Sequence, residues 1–375
     1  MNIPITRPCV GEAEARAAGE AILSGWLSQG PRVEEFERAV AAYTGARHAI
    51  ATSNCTAALH LALLAAGVGP GDEVICPSFS FIATANSILH AGATPVFVDI
   101  DPATYTIAPE LIEAAITPRT RAIMPVDQIG LAADIPAVRA IATRYGLRVI
   151  EDAAPSLGAM VGEARVGGLS DFTCFSFHPR KSITTGEGGL VTTDDDEAAA
   201  RLRVLRSHGA STSDFERHRS GTTAIEEYAV LGFNYRMTDI QAAVGLVQLG
   251  RLDAILAERR RLAERYTALL RGVAGVLPPI EPAGRRHTYQ SYCTRLDPAI
   301  DRGAVMAEMA ARGIATRRGV MAIHLEPLYR RLQPGLCLPE TEKAAGTTML
   351  LPLYAGMTEE EQDYVVVSLR EALGA

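Results

Sequence analysis

From about residue 45, short runs rich in β-branched and other apolar residues alternate with longer stretches of helical spacing, the pattern of a parallel sheet covered by helices on both faces. Residues 48–52, 72–77, 95–99, 122–126 and 148–152 read as strands, and 81–91, 109–116 and 135–145 as helices between them. Ser53 and Asn54 supply cap chemistry ahead of an apolar helix over 57–66. Two further strands, 172–177 and 189–193, flank the Gly-rich segment 184–189. One long helix is predicted over 238–270, with Thr238 as its N-cap and apolar positions at Ile240, Val244, Val247, Leu252, Ile255 and Leu262. Beyond it, a strand at 290–296 and helices at 302–312 and 359–373 compose a small α+β domain, after a linker at 272–286. We therefore expect an α/β chain with a large domain over 1–245 and a bridging helix plus small C-terminal domain over 246–375.

Composition narrows the partners. With 375 residues, 48% of them hydrophobic and 21% charged, the chain can bury a large core and is neither disordered nor a disulfide scaffold. The net charge of -7, without any Lys/Arg-rich run, disfavours nucleic acid and anionic membrane as partners. The N-terminus lacks the order of a signal peptide, and the most apolar run, 57–68, is about half a membrane span. A cytoplasmic protein is expected. The six cysteines form no CxxC pair and do not cluster with histidines, so no metal site is expected.

Open α/β sheets bind ligands beyond the carboxyl ends of their strands, and four segments there carry candidate chemistry. At 52–59 a strand enters a helix through small polar residues; free N–H groups and the Thr56 hydroxyl would cradle a phosphate, or the segment is a plain helix cap. No GxGxxG or Walker motif occurs, which disfavours dinucleotide and ATP folds. At 149–154 an apolar strand ends in Glu151 and Asp152; a buried carboxylate there either faces a cation or protonated ring nitrogen or acts as a structural cap. At 174–189 Lys181 follows a strand among small and hydroxyl side chains, where an ordinary surface lysine is the plain alternative. At 231–243 a turn containing Asn234 leads into the long helix.

Together these four segments, in this order and spacing, strongly resemble the DegT/DnrJ/EryC1/StrS aminotransferases, the sugar-modifying branch of the fold type I pyridoxal-phosphate (PLP) enzymes. The resemblance runs from about Gly25 to the C-terminus. It implies a three-layer α/β/α large domain and a homodimer with shared active sites. By motif, Lys181 matches the lysine joined covalently to PLP, and Asp152 the aspartate paired with the pyridine nitrogen. Ser176 and Thr56 match phosphate ligands, helped by backbone N–H groups near Cys55 and Ala57. Asn234 matches an asparagine that reaches the neighbouring subunit's phosphate. Phe81, with Phe79 close by, matches the aromatic residue on one ring face, and Ala154 lies against the other. Trp26, His178, Tyr235, Arg236 and His324 are candidate substrate residues, His324 being open to a packed role instead.

Two positions depart from the family. Pro155 stands where Gln or His commonly bonds the cofactor's phenolic oxygen, so that contact is lost or supplied elsewhere. Cys55 stands where glycine is frequent, so the cradle should not need a glycine-only backbone. Some relatives carry histidine in place of the lysine and are dehydratases; Lys181 argues against that here. The resemblance implies PLP-dependent transfer of an amino group from an amino acid, L-glutamate by analogy, to a keto sugar. The form of the fourth segment, Gly232 to Asp239, is closer to members acting at C4 of nucleotide-linked 4-keto-6-deoxyhexoses. A C3-keto sugar, an inosose, or a non-catalytic regulator on the same scaffold are the alternatives.

Overall fold

The computed structural model describes residues 1–211 and 227–374. Strands β1 (His48–Thr52), β2 (Glu73–Pro77), β3 (Thr94–Val98), β4 (Thr120–Ile123) and β5 (Arg148–Asp152) are followed by a short hairpin, β6 (Met160–Val161) and β7 (Ala164–Arg165). After it come β8 (Phe172–Ser176) and β9 (Gly189–Thr193), which complete a seven-stranded sheet of order β1-β9-β8-β5-β4-β2-β3. Only β9 runs against the rest. In consequence the carboxyl ends of β1, β2, β5 and β8 and the amino end of β9 share one edge, and the four candidate segments meet there.

Strand alternation divides the core into layers. Ile50, Cys76, Ala122, Ile150, Cys174 and Val191 face α3 (Cys55–Ala65), α4 (Ala83–His90) and α7 (Asp196–Arg206). Their neighbours Ala51, Phe175 and Leu190 face α2 (Pro31–Thr44), α8 (Asp239–Gly250) and α9 (Leu252–Leu270), while Ile75, Ile123 and Val149 face α6 (Ile135–Tyr145). Of the two remaining helices of this half, α1 (Glu12–Leu23) packs on α8, and the short α5 (Pro109–Ile112) adds the buried Ile112 to the α6 layer. This is the three-layer α/β/α large domain.

The second sheet joins β10 (Val276–Leu277), β12 (Tyr292–Leu296), β14 (Thr348–Leu351) and the edge strand β13 (Arg317–Arg318), whereas β11 (Arg285–Arg286) pairs with β6 of the large domain. Tyr266 of α9, Met309 of α10 (Arg302–Ala311) and Leu369 of the C-terminal helix (Glu359–Ala372) pack its core. Two short helices, Pro327–Leu332 and Pro339–Thr347, carry the chain between β13 and β14.

Several features differ from the sequence expectation, among them the following. The predicted long helix is two, α8 and α9, bent by 57°. The joint is Gly250-Arg251, where glycine weakens the helix and the Arg251 guanidinium is drawn to Glu14 at 2.9 Å. The helices α1, α2 and α7 were not expected. The 272–286 linker contains two short strands, β10 and β11. Ile3 does not stay with the large domain: it bridges to Ile314 and is buried in the second core, so the chain's start packs with the small domain.

Candidate active site

Asp152 ends β5 and is 5% exposed. Thr84 on α4 donates its hydroxyl to Oδ2 at 2.7 Å, and the Ala154 N–H donates to Oδ1 at 3.3 Å. Burial pushes its carboxyl above the usual range, against the pull of Thr84, Ala154 and the Lys181 charge. Thr84 is a site residue that sequence analysis missed; its signal was a Thr in the first turn of the helix that follows Ser80-Phe81.

Lys181 hangs below the end of β8 in a turn closed by its own N–H on the His178 carbonyl at 2.8 Å. The rest of the loop is knotted to itself. Thr184 Oγ donates to the Phe177 carbonyl, Thr185 N–H reaches that same carbonyl, and Gln248 from α8 accepts the Thr184 N–H. Such a loop holds the lysine in one place. Burial lowers the affinity of the Lys181 amine for its proton, opposed by Cys55 and Asp152 and aided by the Arg180 charge. Among the described residues no acceptor takes the amino group within hydrogen-bonding or ion-pair distance, although the Lys181 and Asp152 charges act on each other.

The expected phosphate cradle lies where α3 begins. Asn54 caps the helix and its side chain takes the Ala57 N–H at 2.9 Å. That N–H is therefore committed, which corrects the expectation for Ala57, and the open donors are the N–H groups of Cys55 and Thr56. Cys55 has an ordinary backbone, so the position needs no glycine. Beside it, Ser176 pairs in register with Gly189. A side chain on Gly189 would come within 2.6 Å of the Cys55 nitrogen, so only glycine lets β9 approach the helix start this closely. Ser176, Cys55 and Thr56 are thereby brought together around unpaired N–H groups at a helix N-terminus, a site suited to phosphate.

The fourth segment is carried alongside α7. Phe233 and Tyr235 donate their N–H groups to the carbonyls of Leu205 and Arg206, and the Tyr235 carbonyl accepts from Ser53 N–H at 2.7 Å. Asn234 is exposed between them, next to the start of α3. Asp239 fixes the far end: its buried carboxylate accepts the N–H groups of Gly30, Arg32 and Val33 at 2.7–3.0 Å, capping α2. Sequence analysis saw Asp239 only as part of a motif.

The remaining candidates divide. Phe81 is 65% exposed in the loop before α4, whereas Phe79 is fully buried against Tyr105, which leaves Phe81 as the aromatic ring available at this edge. Ala154 follows Asp152, and the Pro155 carbonyl accepts from Thr288. His178 accepts the Arg180 N–H and shapes the lysine turn. The Tyr235 ring stacks on Phe233 and its hydroxyl meets His60 on α3. Trp26 and Arg236 are half-buried near Gly30 and Met237. His324 is corrected: it is 2% exposed, with one ring nitrogen on Ser78 at 2.7 Å and the other on Glu342 at 3.3 Å. With both nitrogens engaged it locks the small domain onto the end of β2 and takes the packed role, not a substrate one.

A buried carboxylate with no ion-pair contact among the described residues, a buried amine with no acceptor among them, and unpaired N–H groups at a helix start are what PLP requires, and the residues present fit it. The sequence pattern of the DegT/DnrJ/EryC1/StrS aminotransferase family matches residues 8–370. The spore coat polysaccharide biosynthesis protein SpsC of Bacillus subtilis (strain 168) is 40% identical over 98% of this chain and 96% of its own. The crystal structure of the aminotransferase TlmJ from Streptoalloteichus hindustanus superposes with a TM-score of 0.92 at 34% identity, covering 99% of both chains. That of NtdA from Bacillus subtilis, with bound cofactor PMP, superposes with a TM-score of 0.87 at 34% identity, covering 98% of this chain and 83% of NtdA.

Proposed function

The chain belongs to the DegT/DnrJ/EryC1/StrS aminotransferase family and is a PLP-dependent sugar aminotransferase; from that premise we propose that it moves the amino group of L-glutamate to C4 of a nucleotide-linked 4-keto-6-deoxyhexose. The observation that supports the chemistry is the burial of Lys181 and Asp152 at the carboxyl edge of the sheet, each within reach of the other's charge. Bound PLP supplies an electron sink for the carbanion formed when a donor loses its α-proton.

In this account the chain's residues do three things. Asp152, oriented by Thr84 and Ala154, holds a proton on the ring nitrogen; a charge-assisted bond of this kind contributes about 1.5–3 kcal/mol. Ser176, Thr56 and the Cys55 and Thr56 N–H groups would hold the phosphate, and Phe81 and Ala154 would flank the ring. Lys181 accepts the donor's α-proton on Nζ and returns it, a role for which burial has lowered its basicity. An arginine has no accessible free base for this.

Asn234 extends this scheme to a homodimer, bonding the phosphate of the neighbouring subunit. Its exposure beside Leu231, 85% exposed, and the exposure of Phe81 and Leu23 support a face that a second copy covers. The six cysteines are free thiols, in keeping with a cytoplasmic setting. Incubating the loaded enzyme with L-glutamate and a panel of nucleotide-linked 4-keto sugars, 3-keto sugars and inososes tests the substrate. Glutamate consumption with the 4-keto sugars is expected. Consumption with only a 3-keto sugar or an inosose assigns the acceptor to that class instead.

A further inference from the structure

The peptide that carries Lys181 is bonded at both ends, and only one of those bonds comes from within its own turn. Its N–H, that of Lys181, donates to the His178 carbonyl at 2.8 Å. Its carbonyl, that of Arg180, accepts from the side-chain amide Nε2 of Gln290 at 2.6 Å. A peptide plane with both its donor and its acceptor engaged cannot swing about the backbone without losing one of the two bonds. The direction in which the Lys181 side chain leaves the chain is thus set in part by a residue two positions ahead of β12.

Gln290 is itself aimed. Tyr289, just before it, has a φ of 48°, a left-handed conformation that a bulky residue keeps only where its surroundings hold it. Its N–H donates to His287 Nδ1 at 2.9 Å, and the two rings stack with centroids 4.1 Å apart. Arg259 of α9, 2% exposed, donates from Nη1 to the carbonyls of Tyr289 at 3.2 Å and Gln290 at 3.1 Å. The Thr288 N–H donates to the Gly130 carbonyl at 2.9 Å, and its hydroxyl to the Pro155 carbonyl at 3.2 Å, three residues past Asp152. One short segment, 287–290, therefore touches both the turn that carries Lys181 and the strand end that carries Asp152. We propose that Gln290 is a positioning residue for Lys181: its side-chain amide fixes the Arg180–Lys181 peptide, and with it the path of the amine toward the donor's α-carbon. The role deepens the aminotransferase reading above, in which Lys181 moves the donor's α-proton.

The test uses the PLP-loaded enzyme and two variants at this half-buried position. Gln290→Met keeps the length and removes the N–H donor, and Gln290→His offers an N–H at similar reach. In Gln290→Met the glutamate half-reaction at saturation, followed by cofactor absorbance, should slow about 10-fold, the loss of one hydrogen bond, while the glutamate concentration for half-saturation changes less than about 2-fold. Independently of turnover, hydrogen exchange of the turn carrying Lys181, read by mass spectrometry, should quicken at least about 5-fold with the urea midpoint unmoved. Gln290→His should restore most of both. An unchanged saturated rate with unchanged exchange in Gln290→Met overturns the role. A slower rate with a lowered urea midpoint and faster exchange throughout the small domain also overturns it, because Gln290 then only holds the domains together. Wild-type enzyme that transfers no amino group, in which Gln290→Met still quickens exchange of the turn, leaves the positioning standing and removes the aminotransferase reading.

Discussion

Asp152 is held by Thr84 from α4 and by the Ala154 N–H, and the first of these is the removable one. Thr84→Val keeps the shape and deletes the donor to a buried carboxylate, so the dissociation constant for PLP, measured by fluorescence titration, should rise about 10-fold or more. No change would mean that Thr84 only fills space. Behind Asp152, Glu151 is wholly buried: Oε2 accepts from Ser170 and Thr173, and Oε1 has no partner. Burial pushes Glu151 up to about 7, and burial with the Glu151 charge pushes Asp127 beside it well above the usual carboxylate range. A raised folded-state value means stability present below the ordinary glutamate range near 4.5 and lost as pH rises toward 7. Glu151→Gln mimics the protonated acid without titrating. Urea midpoints at pH 5 and pH 8 should therefore fall more in the wild type than in the variant; parallel falls would show that Glu151 does not titrate there.

At the scale of elements, the α2 cap illustrates how far the chain could be understood from its sequence. The strands and their order of appearance followed from apolar runs bounded by turn residues, and Asn54 and Thr238 announced their helices by cap chemistry. Periodicity alone did not separate α8 from α9, because the apolar positions continue through the 57° bend. Nor did it identify Asp239 as a cap for a helix more than two hundred residues away, or Thr84 as a partner of Asp152, since both depend on which ends the topology brings together. Motif spacing singles out Lys181, Asp152 and Asn234, and the topology brings their segments to one edge, whereas the Ala57 and His324 assignments meet hydrogen bonds that spacing does not reveal. Asp239→Ala leaves three N–H groups of α2 without their acceptor. It should cost about 2–3 kcal/mol, read as a lowered urea midpoint, and loosen the segment carrying Asn234. A change under about 0.5 kcal/mol would show that solvent replaces the cap.

At the scale of the whole molecule, the reversed strand β9 and the crossover connections deliver four distant segments to one edge, and the small domain is joined to it through Gln290 and His324. A site finished by a second copy makes a further prediction. Lys181→Ala and Asn234→Ala are each expected to be nearly inactive, but a refolded mixture should regain part of the activity, because some mixed dimers contain one site with both residues intact. No recovery would place each site within a single chain. The central claim, that Lys181 is the residue joined to the cofactor, is tested most directly by reducing the PLP-loaded protein with borohydride and mapping the peptides by mass spectrometry. The account predicts one pyridoxyl group, on Lys181; a protein that takes up no label, or carries it on another lysine, would contradict it.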